Sequence, residues 1–265
     1  MKPQEFFATR PVFTLPEFRE AVEPTREHSR ASEHTLAYYS KQGRLRRIRR
    51  GVYAVVPVGS TPEQFPFDPF LVAGKLTEDA VLGYHTALAC YGKTYSATDH
   101  FQVLTQQQFL PIHLPGAVFS GVSFPRTLML AGQTMVETTM VDRSGVSVRV
   151  TTFERTLVDS LDRPQYSPSW EELWRALAVI EYVNPDTVIR YVQLLGNATT
   201  AAKVGFFLEQ HREALMIDET VLAQLETLRP ISPQYIMGQR HGGRLITRWN
   251  LVVPEQVANR GWEEF

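Results

Sequence analysis

"RLRRIRRGVYAVVP", residues 44–57, decides how this chain is read. Five arginines fall within seven residues, and an apolar, β-branched run follows at once. Like charges at that density repel unless an anion compensates them. Gly51 divides the stretch: "LRRI" reads as a strand, "RRG" as a tight turn in which Gly51 supplies a positive φ, and "VYAVV" as the returning strand. A basic amphipathic helix through residues 32–50, suited to a membrane surface or an acidic partner, is a second reading. Gly43 and Gly51 would each cost that helix about 1 kcal/mol. A solvated charge run is the third.

Working outward, "SEHTLAYYSKQG" (32–43) reads as a helix, with Ser32 as N-cap and Gly43 as the left-handed residue that ends it. Helical spacing puts Ser32, Leu36, Tyr39, Ser40 and Gly43 on one side. His34, Tyr38 and Lys41 face the other, flanked by Thr35 and Gln42. Upstream, "VFT" (12–14) reads as a short strand and "LPEFREAV" (15–22) as a helix with Pro16 in its first turn and Phe18 and Val22 on one face. "TREHSR" (25–30) would be a short helix or a turn. Strand, helix, short helix, helix and two-stranded ribbon is the order of a winged helix-turn-helix. In that fold the 32–42 helix reads the major groove while the arginine hairpin follows the phosphates.

Charge distribution agrees. Residues 1–60 carry 11 Lys+Arg and 6 Asp+Glu, a net +5, and the rest carries 16 and 22, a net −6, together the formal −1 of the chain. Arginine outnumbers lysine 22 to 5, and its planar fork suits phosphate and base edges. A basic head on an acidic body is expected to meet a polyanion. With 265 residues, 43% hydrophobic and 21% charged, the chain has the composition of a globular protein with a sizeable core. The single cysteine, Cys90, excludes an intramolecular disulfide and fits a reducing, cytoplasmic setting. No apolar secretion segment opens the sequence, and no stretch has the roughly 20 apolar residues of a membrane span.

The body reads as mixed. "FDPFLVAGKLTEDAVLGYHTALACYG" (67–92) looks like two helices divided around Lys75 to Asp79. Strands are expected at 100–105, 117–124, 134–141 and 146–152, and a helix at 152–164 with Thr152 as N-cap. From 169 the pattern is helical, and a turn-rich tail ends in a strand-like run. The expected fold class is therefore α+β: an N-terminal winged helix-turn-helix at 1–62, then an α+β domain at 63–265. That domain would be mixed over 65–165, mainly helical over 168–228 and turn/strand over 229–265.

Signatures of chemistry are missing. None of the five lysines has an acid two residues before it, and no two acids are separated by exactly one residue. The acid-x-Lys element of many nucleases and the paired metal-binding carboxylates of nucleotidyltransferases are thus absent. There is no phosphate loop and no dinucleotide fingerprint. The seven histidines have no ligand spacing. His85 and Cys90 read as packing residues. Glu154, Asp159 and Asp162 read as first-turn and solvent-face charges, and the Glu154/Arg155 pair as structural or as part of a partner surface. "RHGGR" (240–244) reads as a hairpin turn or an anion cradle. Trp170 and Trp174, four apart, read as a packing stripe. No catalytic residue, metal or cofactor is assigned, and the chain is not read as an enzyme.

"RPVFTLPEF…SEHTLAYYSKQGRLRRIRRGVYAV" resembles the N-terminal winged-helix domain of the AbiEi family, antitoxins of the type IV toxin-antitoxin class once described as regulators of viral defence. "AVLGYHTALACYG", "VTTFERTLVDSLDRP", "AAKVGFFLEQ" and "GGRLITRWNLVVP" are similar to later family segments, so the resemblance spans about residues 11–254. It implies a repressor that binds double-stranded DNA at inverted repeats near its own promoter. It also implies an antitoxin that counteracts a nucleotidyltransferase-like toxin without forming a stable complex. A two-fold operator would favour a dimer on DNA. The DNA-binding set is then Arg30 just before the helix, Ser32, His34, Thr35, Tyr38, Lys41 and Gln42 on it, and Arg44, Arg46, Arg47, Arg49 and Arg50 on the hairpin. The alternative is a protein-interaction module whose acidic body neutralises a defence partner, with DNA binding secondary.

Overall fold

In the computed structural model, which describes residues 1–22, 30–236 and 243–260, the chain opens with a helix, α1 (Pro3–Thr9). Pro3 stands at its first position, and the Glu5 carboxylate accepts the backbone N–H of Lys2 at 3.1 Å. The sequence reading passed over this helix because seven residues show no period. It contributes Phe6 and Phe7 to a small aromatic core with Phe13, Phe18, Leu36 and Leu45. Their rings meet edge-on, stacked or tilted at 5.0 to 6.1 Å.

β1 (Val12–Thr14) and α2 (Leu15–Val22) follow, then α3 (Ala31–Lys41), β2 (Leu45–Arg49) and β3 (Val52–Val55). β1 pairs antiparallel with β3 and β3 with β2, giving the order β1-β3-β2. The helix or turn expected at 25–30 lies outside the described residues except for Arg30. α3 is capped two residues earlier than expected. Its N-cap is Arg30, and Ser32 is instead a fully buried residue on the packed side.

The chain divides into two compact units. The first holds Met1–Leu82, Asp99–Val122 and Met140–Val150, and the second Gly83–Thr98, Ser123–Thr139 and Thr151–Phe265. Beyond β3 the first unit adds α4 (Pro69–Ala73), whose first turn is capped by the Asp68 carboxylate, and a six-stranded mixed sheet. Its strands are β4 (Val81–Leu82), β5 (His100–Leu104), β6 (Ile112–Leu114), β7 (Ala117–Val122), β8 (Thr138–Arg143) and β9 (Val146–Thr151), in the order β6-β7-β5-β4-β9-β8. β4 falls just after the expected break at Lys75 to Asp79, at residues that were read as part of the second helix. Two buried residues are too few to show an alternation, yet they pair with β5 on one side and β9 on the other.

The second unit is mainly helical: α5 (Tyr84–Cys90), α6 (Arg126–Leu130), α7 (Phe153–Asp162), α8 (Trp170–Ala178), α9 (Pro185–Leu195), α10 (Ala198–Gln210) and α11 (Glu219–Thr227). Thr152, Ser169, Asn184 and Asn197 cap α7 to α10 through side-chain oxygens. A small sheet of β10 (Gln234–Tyr235), β11 (Arg244–Ile246) and β12 (Leu251–Val253) and a last turn of helix, α12 (Glu255–Ala258), complete it. The architecture is mixed α+β. The strand expected at 134–141 begins only at Thr138. The carbonyls of Thr134 and Val136 accept hydrogen bonds from the Arg155 guanidinium at 2.8 and 2.6 Å, so they are turned to a side chain rather than a strand.

Candidate nucleic-acid interface

α3 is set on the head by one apolar face. Ser32 and Leu36 are buried, and Tyr39 packs edge-on against Phe7 at 5.1 Å. Glu33, His34, Ala37, Tyr38, Lys41 and Gln42 are exposed, and Thr35 is half-buried. The helix ends in a Schellman arrangement: the Arg44 N–H bonds to the Tyr39 carbonyl and the Gly43 N–H to that of Ser40, both at 3.0 Å. Gly43 adopts φ +71°, where a Cβ would strain the backbone. This stop turns the chain into β2 with Leu45 buried against the aromatic core.

The hairpin closes at Gly51, with φ +81°, and the Gly51 carbonyl accepts the N–H of Leu15 at 2.8 Å. β2 carries an irregularity between Arg47 and Arg49. A regular strand would point those two side chains the same way, and a bulge re-aims one of them. The five arginines accordingly divide. Arg44 is exposed with its guanidinium 5.2 Å from the Tyr39 ring centre. Arg46, half-buried, donates to the Glu63 carbonyl at 3.2 Å. Arg47 is exposed and reaches the Arg49 carbonyl at 3.4 Å. Arg49, half-buried, donates to the Leu76 carbonyl at 2.9 Å. Arg50 is exposed and makes no side-chain bond among the described residues, and Arg30 is likewise exposed.

Within the first unit the head is also joined through α2. The Lys75 ammonium pairs with the Glu17 carboxylate, which accepts the Thr14 N–H at 2.7 Å and the Thr14 hydroxyl at 3.0 Å. Partial burial works against the Glu17 charge, but Lys75 and these donors outweigh it and hold its pKa below the usual value. Neither Lys75 nor Leu76 carried a local signal linking it to the head, because their partners, Glu17 and Arg49, are 58 and 27 residues away.

Other charged groups singled out in the sequence belong to the second unit. Arg155 and Asp159 are buried together, with the guanidinium Nε bonding Asp159 Oδ2 at 3.1 Å and the Tyr191 hydroxyl donating to Asp159 Oδ1 at 2.7 Å. The expectation that Asp159 faces solvent is therefore corrected. One turn of α7 places it beneath Arg155, inside the helical core. Burial opposes the Arg155 charge, yet the Asp159 carboxylate outweighs it and keeps the guanidinium protonated. Asp162 is half-buried and accepts from Thr200 Oγ1 and from Asn197 Nδ2 at 3.0 Å. Glu154 accepts the Asn184 N–H at 2.8 Å. His85 is buried in the first turn of α5, and Cys90 is buried on the same helix. Trp170 and Trp174 lie 5.8 Å apart, with Trp174 fully buried. "RHGGR" falls outside the described residues except for Gly243 and Arg244. Among the described residues no group of three or more His, Cys, Asp or Glu side chains is arranged to hold a metal, and no helix is long and apolar enough to cross a membrane.

The chain is similar in fold to the RV2827C protein from Mycobacterium tuberculosis. The likeness to that crystal structure covers 98% of this chain and 93% of the other, with a TM-score of 0.61 and 17% sequence identity. At that identity RV2827C informs the fold alone. No protein-family model and no curated protein matches the sequence.

Proposed function

We propose that residues 1–62 are a winged helix-turn-helix that binds double-stranded DNA, and that the chain is an AbiEi-type transcriptional repressor and antitoxin acting on its own operon. The carrying observation is the pairing of an exposed α3 face with an arginine hairpin that directly follows it. The element order of α1 to β3 and the sheet order β1-β3-β2 support the same reading. α3 would lie in the major groove, where His34, Tyr38, Lys41 and Gln42 reach base edges or nearby phosphates. Arg44, Arg47 and Arg50 would follow the phosphates and set the register. Ser32, buried, would act only by seating the helix. The resemblance in later segments extends the proposal to counteraction of a nucleotidyltransferase-like toxin.

The test is a mobility shift on the duplex just upstream of the gene, against a scrambled duplex, at two salt concentrations. Selective binding with a steep salt slope is the expected result. Lys41→Ala should relax selectivity, since a good base contact is worth about 1–3 kcal/mol of discrimination. Equal, weak binding to both duplexes would sink the operator reading.

A further inference from the structure

The hairpin has a strut. A cleft of about 530 Å³ opens in the first unit between the hairpin turn and residues 74–78, and Arg49 and Leu76 both line it. The Arg49 Nη1 donates to the Leu76 carbonyl at 2.9 Å, and its guanidinium carbon lies 5.5 Å from the centre of the Phe109 ring. The anchor is set against the six-stranded sheet. Leu76 itself is buried. Gly74 lies so close to β9 that a Cβ there would come within 2.9 Å of Val148 Cγ1. Asp68, which caps α4, is bonded by the Arg143 guanidinium of β8 at 2.8 and 3.0 Å. Phe109 rests over Gly121 of β7, where a Cβ would meet the ring at 2.9 Å. Both ends of the Arg49 contact therefore stand on positions that bring backbone or ring unusually close.

We propose that Arg49 is a positioning residue that locks the DNA-binding hairpin to the sheet of the first unit, and that it makes no phosphate contact of its own. This rests on the winged-helix reading above. The DNA-binding body is then the head together with α4 and the sheet, and the arginines left for phosphate are the exposed Arg44, Arg47 and Arg50. With Nη1 on the Leu76 carbonyl and its guanidinium beside the Phe109 ring, the half-buried Arg49 is less free to follow a phosphate than the exposed Arg50, which makes no side-chain bond among the described residues. A bulge between Arg47 and Arg49 has the local effect such a division needs, since it separates the directions of two side chains that a regular strand would align.

The full-length protein and three variants, Arg49→Ala, Arg50→Ala and Gly121→Ala, separate the roles. DNA affinity is measured across a salt series, and the exchange of the Leu15 amide, bonded to the Gly51 carbonyl, is followed without DNA. Arg50→Ala should lower the log-log salt slope by about 0.9 and leave Leu15 exchange unchanged. Arg49→Ala should weaken binding about fivefold, the factor that one net hydrogen bond supplies, with the slope unchanged and Leu15 exchange faster. Gly121→Ala removes no cation, yet by displacing Phe109 it should shift affinity and exchange in the same direction as Arg49→Ala. A slope loss near 0.9 in Arg49→Ala would place that residue on a phosphate and overturn the proposal. Unchanged Leu15 exchange in both Arg49→Ala and Gly121→Ala would overturn it as well. If the wild type bound no DNA, the winged-helix reading would fail, while the exchange experiment would still decide whether Arg49 holds the hairpin.

Discussion

Replacing Arg155 by leucine should be one of the most damaging single changes in the second unit. The side chain is fully buried and supplies three bonds: to Asp159 at 3.1 Å, to the Thr134 carbonyl at 2.8 Å and to the Val136 carbonyl at 2.6 Å. Leucine supplies none. It leaves the Asp159 carboxylate, 1% exposed, with only the Tyr191 hydroxyl as a partner among the described residues. Removing one member of a buried ion pair costs about 3–5 kcal/mol, because the other charge stays behind uncompensated. The unpaired carbonyls add to that. Urea denaturation at pH 7, followed by far-ultraviolet circular dichroism, should show a loss within or above that range. The double variant Arg155→Leu, Asp159→Leu should lose less than the single one, since it buries no lone charge. Acidity supplies a second check. Burial raises the Asp159 pKa, with Arg155 and Tyr191 opposing, so removing the guanidinium drives it higher still. A carboxyl with a raised folded pKa binds a proton more tightly folded than unfolded, so the folded state gains relative stability as pH falls. The deficit of Arg155→Leu should therefore shrink as the pH is lowered. A loss under about 1 kcal/mol, or a double variant as damaged as the single, would refute the reasoning.

Gly205→Ala should destabilise by about 1–3 kcal/mol, measured by the same denaturation, because its Cβ would run into the Trp249 ring, which is itself fully buried. Burial lowers the His85 pKa, with Glu172 opposing, so the unfolded chain takes up that proton first. Stability should thus fall as pH drops below about 6.5, and His85→Leu should flatten that limb of the profile. The depressed pKa of Glu17 contributes stability above the unfolded carboxylate value that is lost as pH falls through the folded one. Glu17→Gln should accordingly lower the melting temperature at pH 7, and the difference from wild type should shrink as the pH is lowered.

The parts of the head that were legible in the sequence are those governed by neighbours along the chain. Pro16 and Glu17 open α2, Gly43 stops α3 and Gly51 turns the hairpin, each through its own backbone preference or a partner three residues away. The outward face of α3 was legible for the same reason, since a helix of 11 residues sorts its side chains by period. The assignment of the five arginines was not. Five identical side chains in and beside one strand and turn have the same local chemistry, and distant partners, the Glu63 carbonyl for Arg46 and the Leu76 carbonyl and Phe109 ring for Arg49, distinguish these two from the rest. Asp159 was misread for a related reason: its spacing to Arg155 fits a surface pair as well as a buried one, and Tyr191, 32 residues on, belongs to another helix of the core. α1 was missed because seven residues cannot show a helical period. Local sequence thus determined where this chain turns and which helix face looks outward. Which charges are spent inside the protein and which remain for a ligand was decided only by tertiary structure, because long-range packing determines how much water and which partners each charge keeps.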